Sequence, residues 1–354
     1  GLGIAQVFAQ AGHPVLATDA FAPARANARD RLSASLAPRV ASGKLPSSEA
    51  AAILGRLTVA EDLESLAPAA LMIEVVAEDL AAKQALFQRL EALNPAALRA
   101  TNTSSLRVAD IALGLRHPNR LVGLHFFNPA PVMKLVELIA PEGPSRAEAE
   151  ALMQASGKTL IPAPDTPGFI VNRCARPFYG EALALLTEGR KAAEIDAAMV
   201  AQGYRLGPFA LIDLVGADIN LAATRSLAQA MGQHPRYHVF EALVAQVASG
   251  HLGRKTGLGF IGPDAAATPP PADAAEIVAR IEGALVNEAL WLASSTGTPG
   301  AAIDMALRLG LNFPRGPFAL WADHGPAIRA TLARLEASAP PALKSRYLLP
   351  ETLP

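Results

Sequence analysis

The sequence predicts an α/β domain with a largely parallel sheet, followed by an all-helical region that consists of two repeated modules. Short apolar runs alternate with helical patterns through the first part of the chain, which is typical of strands joined by crossover helices. From about Asp165 onward the pattern changes to long Ala- and Leu-rich helices without clear strands. The predicted domains are residues 1–164, 165–262 and 274–354.

The alternation in the first domain can be followed element by element. Helical periodicity covers residues 4–11 and 80–93, and buried strands are predicted over 15–18 and 71–77. Further short apolar runs lie near 98–101, 121–124 and 159–161. Strands separated by helices in this way favour a parallel sheet.

The helical region contains an internal repeat. Three short motifs recur in the same order at a nearly constant spacing of about 108 residues. These are Glu181-Ala182-Leu183 with Glu288-Ala289-Leu290, Ile195-Asp196 with Ile303-Asp304, and GPFAL at 207–211 with GPFAL at 316–320. Two similar Ala-rich helices with a chance GPFAL are the simpler alternative, but a duplicated module separated by the Pro- and Ala-rich linker 263–273 explains the order better.

Composition excludes several classes of protein. Hydrophobic residues make up 51% of the 354 residues and charged residues 18%, so the chain is globular rather than disordered. A net charge of -1 predicts no nucleic-acid partner, and no apolar run is long enough to predict a membrane partner. One cysteine, Cys174, fits a reducing compartment, so a cytoplasmic location is predicted. We also predict no metal site.

The first residues resemble the end of a dinucleotide-binding fingerprint. Gly1 and Gly3 lead into a helix, whose N-terminal N–H groups and dipole favour a pyrophosphate. Asp19 follows the next predicted strand, where a carboxylate binds ribose hydroxyls and repels a 2′-phosphate, so NAD is favoured over NADP. A Gly-x-Gly used only for tight packing is the alternative. In this interpretation the first strand and first glycines of the fold precede Gly1 and are missing from the chain.

Residues 121–137 contain the candidate catalytic pair. His125 follows a strand-like run, and Asn128-Pro129 turns the chain so that Glu137 can return to the imidazole. A histidine oriented by a carboxylate is suited to accept the proton of an alcohol while a hydride leaves the same carbon. A core histidine with Glu137 on the surface is the alternative from spacing alone.

Six sequence motifs decide between a His125–Glu137 pair and a surface position for Glu137. GIAQVFAQAGH, TNTSSL, GLHFFNPAPVMKLVE, DTPGFIVNR, GPFALIDLVG and GRKTGLGF occur in that order through residues 1–260. Together they resemble the signatures of the 3-hydroxyacyl-CoA dehydrogenase family. The resemblance implies a Rossmann-like NAD domain and a 6-phosphogluconate-dehydrogenase-like helical domain, here duplicated, that provides contacts for a homodimer or homo-oligomer. It also implies an acyl-CoA substrate, with His125 as general base and Glu137 as its orienting partner.

The same resemblance assigns the remaining substrate-side residues. Ser104 in TNTSS and Asn172 in DTPGFIVNR match polar groups around the reacting oxygen and the thioester. A turn residue and a helix-capping residue, respectively, are the structural alternatives. Lys44 in SGKL is a candidate for a CoA phosphate, with an isolated surface lysine as its alternative.

Cofactor-side residues also follow from the resemblance. Glu78 and Lys83, in EDLAAK, match nucleotide contacts of the family, although an exposed helix start with an acidic first turn gives the same pattern. Asn128 is expected close to the nicotinamide.

The second helical module resembles that of longer bacterial members with a tandem C-terminal domain. These include 3-hydroxybutyryl-CoA dehydrogenases and the 3-hydroxyadipyl-CoA dehydrogenases of phenylacetate breakdown, so fatty-acid or phenylacetate-type catabolism is implied. In such members we expect the appended copy to replace packing that a dimer partner provides elsewhere.

Three other hypotheses remain open at this stage. One is a related dehydrogenase of a non-CoA hydroxy acid, such as gulonate, and another is a non-catalytic NAD-binding homologue. The third is a fragment of a larger multifunctional fatty-acid oxidation protein.

Overall fold

The computed structural model describes residues 1–262 and 268–353, and the chain divides into two compact units. The first is Gly1–Asp165, and the second extends from Thr166 to the C-terminus. The predicted linker at 263–273 lies partly outside the described residues. No helix within the described ranges is both long and apolar enough to span a membrane.

The first unit alternates strands and helices, as the sequence predicts. Its strands are β1 Val15–Ala17, β2 Leu57–Val59, β3 Leu71–Glu74, β4 Leu98–Thr101, β5 Leu121–Phe126, β6 Leu135–Ile139 and β7 Thr159–Pro162. Its helices are α1 Leu2–Gln10, α2 Ala22–Ala26, α3 Ala28–Ala41, α4 Ser47–Gly55, α5 Leu80–Leu93, α6 Val108–Ile111 and α7 Pro144–Gln154. Short 3-10 turns cover Glu64–Leu66 and Pro118–Arg120.

The strands form a parallel pair, β1 with β2, and a five-stranded sheet in the order β3-β4-β5-β6-β7. Every neighbouring pair in the larger sheet is parallel except β5 and β6. The expectation of a parallel sheet is therefore wrong at that one pair. The chain turns straight back after β5, and a direct return can only give antiparallel strands.

The middle of the larger sheet is buried on both faces. All residues of β4, β5 and β6 are buried, which explains why these strands are continuous apolar runs rather than alternating ones. α1 and α7 contribute Ile4, Val7 and Met153 to the apolar cluster around these strands. The sheet therefore gives a rigid base to the side chains at its carboxyl edge.

The second unit is helical, as predicted. Its helices are α8 Val171–Thr187, α9 Ala192–Ala201, α10 Pro208–Val215, α11 Ala217–Ala230, α12 Glu241–Ala248, α13 Ala274–Thr296, α14 Gly300–Leu311 and α15 Pro317–Ser338. Short 3-10 segments cover Pro235–Tyr237, Arg254–Thr256 and Pro341–Tyr347. α13 packs against α8, α9 and α15.

Two buried carboxylates hold the repeated segments together. Glu288 on α13 accepts hydrogen bonds from Arg173 Nε at 2.6 Å, Arg236 Nε at 2.8 Å and the Tyr237 hydroxyl at 2.6 Å. All three donors come from the first predicted module. Glu288 is fully buried, so these donors compensate the loss of its hydration.

Glu181 on α8 has the reciprocal arrangement. It accepts from Arg280 Nε at 2.9 Å, and from Arg346 Nε and the Tyr347 hydroxyl at 3.2 Å each. These donors come from the second predicted module, at positions that correspond to those around Glu288. Each module therefore satisfies the buried charge of the other.

A helix start is also built in the same way twice. Asp196 accepts the N–H groups of Phe209 and Ala210 at 2.9 and 2.7 Å. Asp304 accepts those of Phe318 and Ala319 at 2.7 and 3.0 Å. In both places the aspartate satisfies the first-turn amides of the helix that begins in GPFAL. The glycine before each helix is required, because a Cβ there would lie within 2.5 Å of aspartate atoms.

Asp196 leads to a pH prediction for the second unit. Burial raises the pKa of Asp196 to about 7 from 3.8, although the two N–H donors favour its ionised form. Because the folded pKa lies above the unfolded value, this group stabilises the fold at low pH, and the contribution is lost as pH rises toward 7. We expect the free energy of unfolding of the wild type to fall from pH 5 to 7, relative to Asp196→Asn, by up to about 1 kcal/mol per pH unit. Urea unfolding at each pH measures this.

Asp304→Asn provides the matched comparison. Asp304 makes the same contacts at a partly exposed site, where burial also raises its pKa. A weaker pH dependence is expected there, and parallel curves for the wild type and Asp196→Asn would contradict the prediction.

Candidate active site

The register of β5 and β6 brings His125 and Glu137 together. The two residues are direct partners across the antiparallel pair, so their side chains extend from the same face of the sheet. His125 Nδ1 lies 2.6 Å from Glu137 Oε2. His125 is 5% exposed and Glu137 is 0% exposed. The prediction that these two side chains lie close together is confirmed. The surface position considered for Glu137 is wrong, because the residue is buried.

The turn between β5 and β6 sets the surroundings of His125. The Phe127 ring lies 4.6 Å from the imidazole, measured between centroids. The peptide between Asn128 and Pro129 is cis, and Asn128 is exposed. The side-chain oxygen of Asn102, just after β4, accepts the Phe126 N–H at 2.9 Å and ties the end of β5 to its neighbour.

A second buried carboxylate ends β3. Glu74 accepts a hydrogen bond from Lys83 Nζ at 2.6 Å, from the Thr101 hydroxyl at 2.8 Å and from the Val76 N–H at 2.6 Å. The Lys83 side chain is 1% exposed, and its ammonium also lies 3.3 Å from Glu78. The exposed helix start considered for Lys83 is therefore wrong, because its buried ammonium reaches the carboxylate at the end of β3.

Glu78 holds the segment that carries Ser104. One of its oxygens accepts the Thr103 and Ser105 hydroxyls at 2.5 and 2.8 Å, and the N–H groups of Ser104 and Ser105 at 3.1 Å each. Burial opposes ionisation of Glu78, but these donors and the nearby Lys83 charge outweigh it and lower its pKa. Glu78 is thus an ionised anchor for residues 103–105.

The remaining candidates lie on separate elements. Asn172 is the second residue of α8, whose N-cap is Ile170, so the capping role considered for it is wrong. Lys44 is exposed in the turn after α3.

Sequence reasoning missed three polar residues that build this edge of the sheet. Glu74 and Asn102 stand directly after strand residues, and that position was the only available signal. Asp165, which accepts the first-turn N–H groups of Val108 and Ala109 at 2.7 and 2.8 Å, begins the DTPGF word and caps α6 from a distant part of the sequence.

Comparisons with known proteins decide the family. The model of the 3-hydroxyacyl-CoA dehydrogenase NAD-binding domain matches residues 1–166. The model of the C-terminal domain of the same family matches residues 168–262 and 277–350. The chain belongs to the 3-hydroxyacyl-CoA dehydrogenase family.

Relatives in this family come from several bacteria. The chain is 44% identical to the 3-hydroxyadipyl-CoA dehydrogenase of Escherichia coli K12, over 73% of this chain and 56% of that protein. It therefore spans little more than half of that relative's length. It is 36% identical to a probable 3-hydroxybutyryl-CoA dehydrogenase of Bacillus subtilis, over 73% of this chain and 92% of the relative.

Solved structures of the family have the same fold. A 3-hydroxybutyryl-CoA dehydrogenase from Escherichia coli K12 superimposes with a TM-score of 0.88 at 31% identity, covering 99% of this chain and 94% of that one. FadB2 of Mycobacterium tuberculosis gives a TM-score of 0.70 at 34% identity, covering 74% and 94%. The expected Rossmann-like NAD domain followed by a helical domain is confirmed.

The NAD-binding domain of this family member has residues that would suit the dinucleotide. Gly1 is the N-cap of α1, and its carbonyl accepts the N–H groups of Ile4 and Ala5 at 3.0 Å each. The amides of Leu2 and Gly3 begin the helix, where a pyrophosphate would be bound. Gly3 lies in that first turn. Asp19 follows β1 and is exposed, and its Oδ1 accepts the Phe21 N–H at 2.9 Å. That hydrogen bond orients the carboxylate at the end of the strand, where ribose hydroxyls are bound in this fold.

Glu74 leads to a stability prediction for the NAD-binding domain. Removing its charge by Glu74→Gln leaves the buried Lys83 ammonium with Glu78 alone, so a loss of about 3 kcal/mol is expected. Thermal unfolding of the purified wild type and of the Glu74→Gln variant measures the loss of stability.

Glu64→Gln is the matched control. Glu64 pairs with Arg89 at 3.2 Å, but both side chains are about two-thirds exposed, so the loss should stay below about 0.5 kcal/mol. Equal losses for the two variants would contradict the structural importance of the Glu74–Lys83 pair.

Proposed function

We propose that the protein catalyses the reversible, NAD-dependent oxidation of an L-3-hydroxyacyl-CoA to the 3-ketoacyl-CoA. The observation that carries this proposal is the buried pair of His125 and Glu137, 2.6 Å apart, in the NAD-binding domain of a 3-hydroxyacyl-CoA dehydrogenase family member. The names of the relatives support an acyl-CoA substrate. Fatty-acid or phenylacetate-type catabolism is the corresponding physiological setting.

The pair explains how a proton is moved. With Nδ1 directed at Glu137, the opposite ring nitrogen, Nε2, is the atom that takes the hydroxyl proton in oxidation and returns it in reduction. The imidazolium that forms is stabilised by the buried carboxylate, whose charge is strongly felt at this distance. The positive charge generated at His125 is therefore compensated at the moment that it appears.

Other residues orient the substrate. Ser104, whose backbone is fixed by Glu78, is proposed to bind the substrate oxygen, and Asn172 is proposed to contact the thioester side. Orientation of this kind can lower the activation barrier of the reaction by about 7 kcal/mol when the groups are well aligned. Lys44 is the candidate contact for a CoA phosphate.

Bound NAD would supply the hydride acceptor for the carbon that carries the hydroxyl group. Gly1, Gly3 and Asp19 are proposed to hold its pyrophosphate and adenosine ribose. Asn128 is proposed to lie beside the nicotinamide, and Glu78 and Lys83 to line the nucleotide side.

NADH oxidation with acetoacetyl-CoA tests the reaction and the base together. His125→Gln keeps a polar side chain of similar size but removes the titrating nitrogen, so kcat is expected to fall by about a thousandfold. Glu137→Gln keeps the hydrogen bond without the charge, and a smaller fall of about a hundredfold is expected. Initial rates at saturating NADH give kcat for both variants and for the wild type.

The alternatives predict other outcomes. Turnover of a free hydroxy acid but not of acyl-CoA would favour the non-CoA dehydrogenase. Tight NADH binding without turnover of any 3-ketoacyl-CoA would favour a non-catalytic homologue. Full activity in His125→Gln would refute the assigned base.

We further propose that the two helical modules pair within one chain in place of a dimer contact. The reciprocal binding of Glu181 and Glu288 supports this, as does the match of the C-terminal domain model to two separate segments. Without the second module, Glu181 loses all three of its donors, Arg280, Arg346 and Tyr347.

A chain ending at residue 262 is expected to associate with a second copy, because that copy can restore part of the lost pairing. Light scattering on the shortened and the full chain compares their masses in solution. An identical association state for both, with equal thermal stability, would contradict intramolecular pairing.

A further inference from the structure

Lys158 makes an unusual set of contacts for a lysine. It lies between α7 and β7, and its ammonium donates hydrogen bonds to the backbone carbonyls of Ala130 at 2.6 Å and Met133 at 2.7 Å. No carboxylate lies within ion-pair distance of Lys158 in the described parts of the chain. Its charge is offset by two carbonyl dipoles, and burial lowers its pKa.

The two carbonyls belong to the turn that joins β5 to β6. Within this turn the Pro129 carbonyl accepts the N–H groups of Val132 at 2.9 Å and Met133 at 3.0 Å. Lys158 binds two further carbonyls of the turn, which these local hydrogen bonds do not use. One side chain from outside the turn therefore fixes its conformation at both ends.

The same turn also packs against the start of α1. A Cβ added at Gly3 would lie 3.4 Å from Pro131 Cδ and 3.6 Å from Ala130 Cβ, which is van der Waals contact. Ala130 is buried in the same apolar cluster as Ile4 of α1. The turn thus contacts both the Lys158 ammonium and the first turn of α1.

We propose that Lys158 is a positioning residue for cofactor binding, which holds the β5–β6 turn so that Asn128 keeps its place relative to the N-terminus of α1. This inference rests on the proposed function, in which Asn128 lies beside the nicotinamide and the α1 N-terminus at the pyrophosphate. Lys158 itself touches neither substrate nor cofactor. Its effect passes through the backbone of residues 129–133.

Lys158→Met and Lys158→Arg separate positioning from general stability. Methionine keeps the length of the side chain and removes the donors, whereas arginine can still donate to two carbonyls. We expect Lys158→Met to raise the KM for NADH and its dissociation constant about tenfold, because two carbonyls lose charged donors. The KM for acetoacetyl-CoA should change less than about twofold, and arginine should restore most of the NADH affinity.

Lys191→Met is the matched control, because this side chain is 80% exposed in the second unit and its loss removes one positive charge without touching the turn. Unchanged NADH affinity in Lys158→Met, whatever its melting temperature, would overturn the inference. Equal rises in both KM values would also overturn it, since they indicate general loosening.

The NADH dissociation constant, measured by fluorescence titration, does not depend on turnover. A wild type that binds NADH but does not reduce acetoacetyl-CoA would therefore refute the proposed substrate and leave the role of Lys158 to be decided by the binding data.

Discussion

The contact between His125 and Glu137 is the constraint on which the candidate active site depends. It requires an antiparallel strand pair inside a sheet that is otherwise parallel, with these two residues opposite each other. A shift of one residue in the pairing of β5 and β6 would turn Glu137 to the other face of the sheet. The apolar residues of both strands, buried on each face, hold the register that keeps the carboxylate at the imidazole.

Around this pair, the sheet edge is organised by charges that are buried together. Glu74 would be costly as an isolated buried carboxylate, and Lys83 as an isolated buried ammonium. Their contact makes both tolerable, and Lys83 then reaches Glu78 as well. Glu78 in turn fixes the backbone on either side of Ser104. The backbone that carries the Ser104 hydroxyl therefore depends on a salt bridge at the end of β3.

Local patterns in the sequence were sufficient for much of this fold. The helix predicted over 80–93 is α5 with the same bounds, because its apolar period is clear and Asp79 caps it. β2 was missed, since three residues give too short a run to show any period. The antiparallel β6 was also not recognised as a strand, because a buried apolar run does not reveal its direction.

The site was predicted where partners are close along the chain and missed where they are distant. His125 and Glu137 are joined by a single turn, so spacing allowed their contact, and the resemblance to the family favoured it over a surface position for Glu137. Glu74 and Thr101 meet only because β3 and β4 are neighbours, and Lys158 reaches a turn that is far from it in sequence. Tertiary structure alone brings such groups together, and a single sequence contains no local signal for it.

The exchange of ion-pair partners in the helical unit has a consequence for how this protein can change. Neither module contains the donors for its own buried glutamate, so each depends on arginines encoded in the other half of the repeat. A substitution at one of these arginines cannot be relieved by repacking within its own module, because the charge left behind belongs to the other one. A tolerated change at one of these arginines is therefore expected to require a second change in the other predicted module, next to the glutamate that the arginine binds.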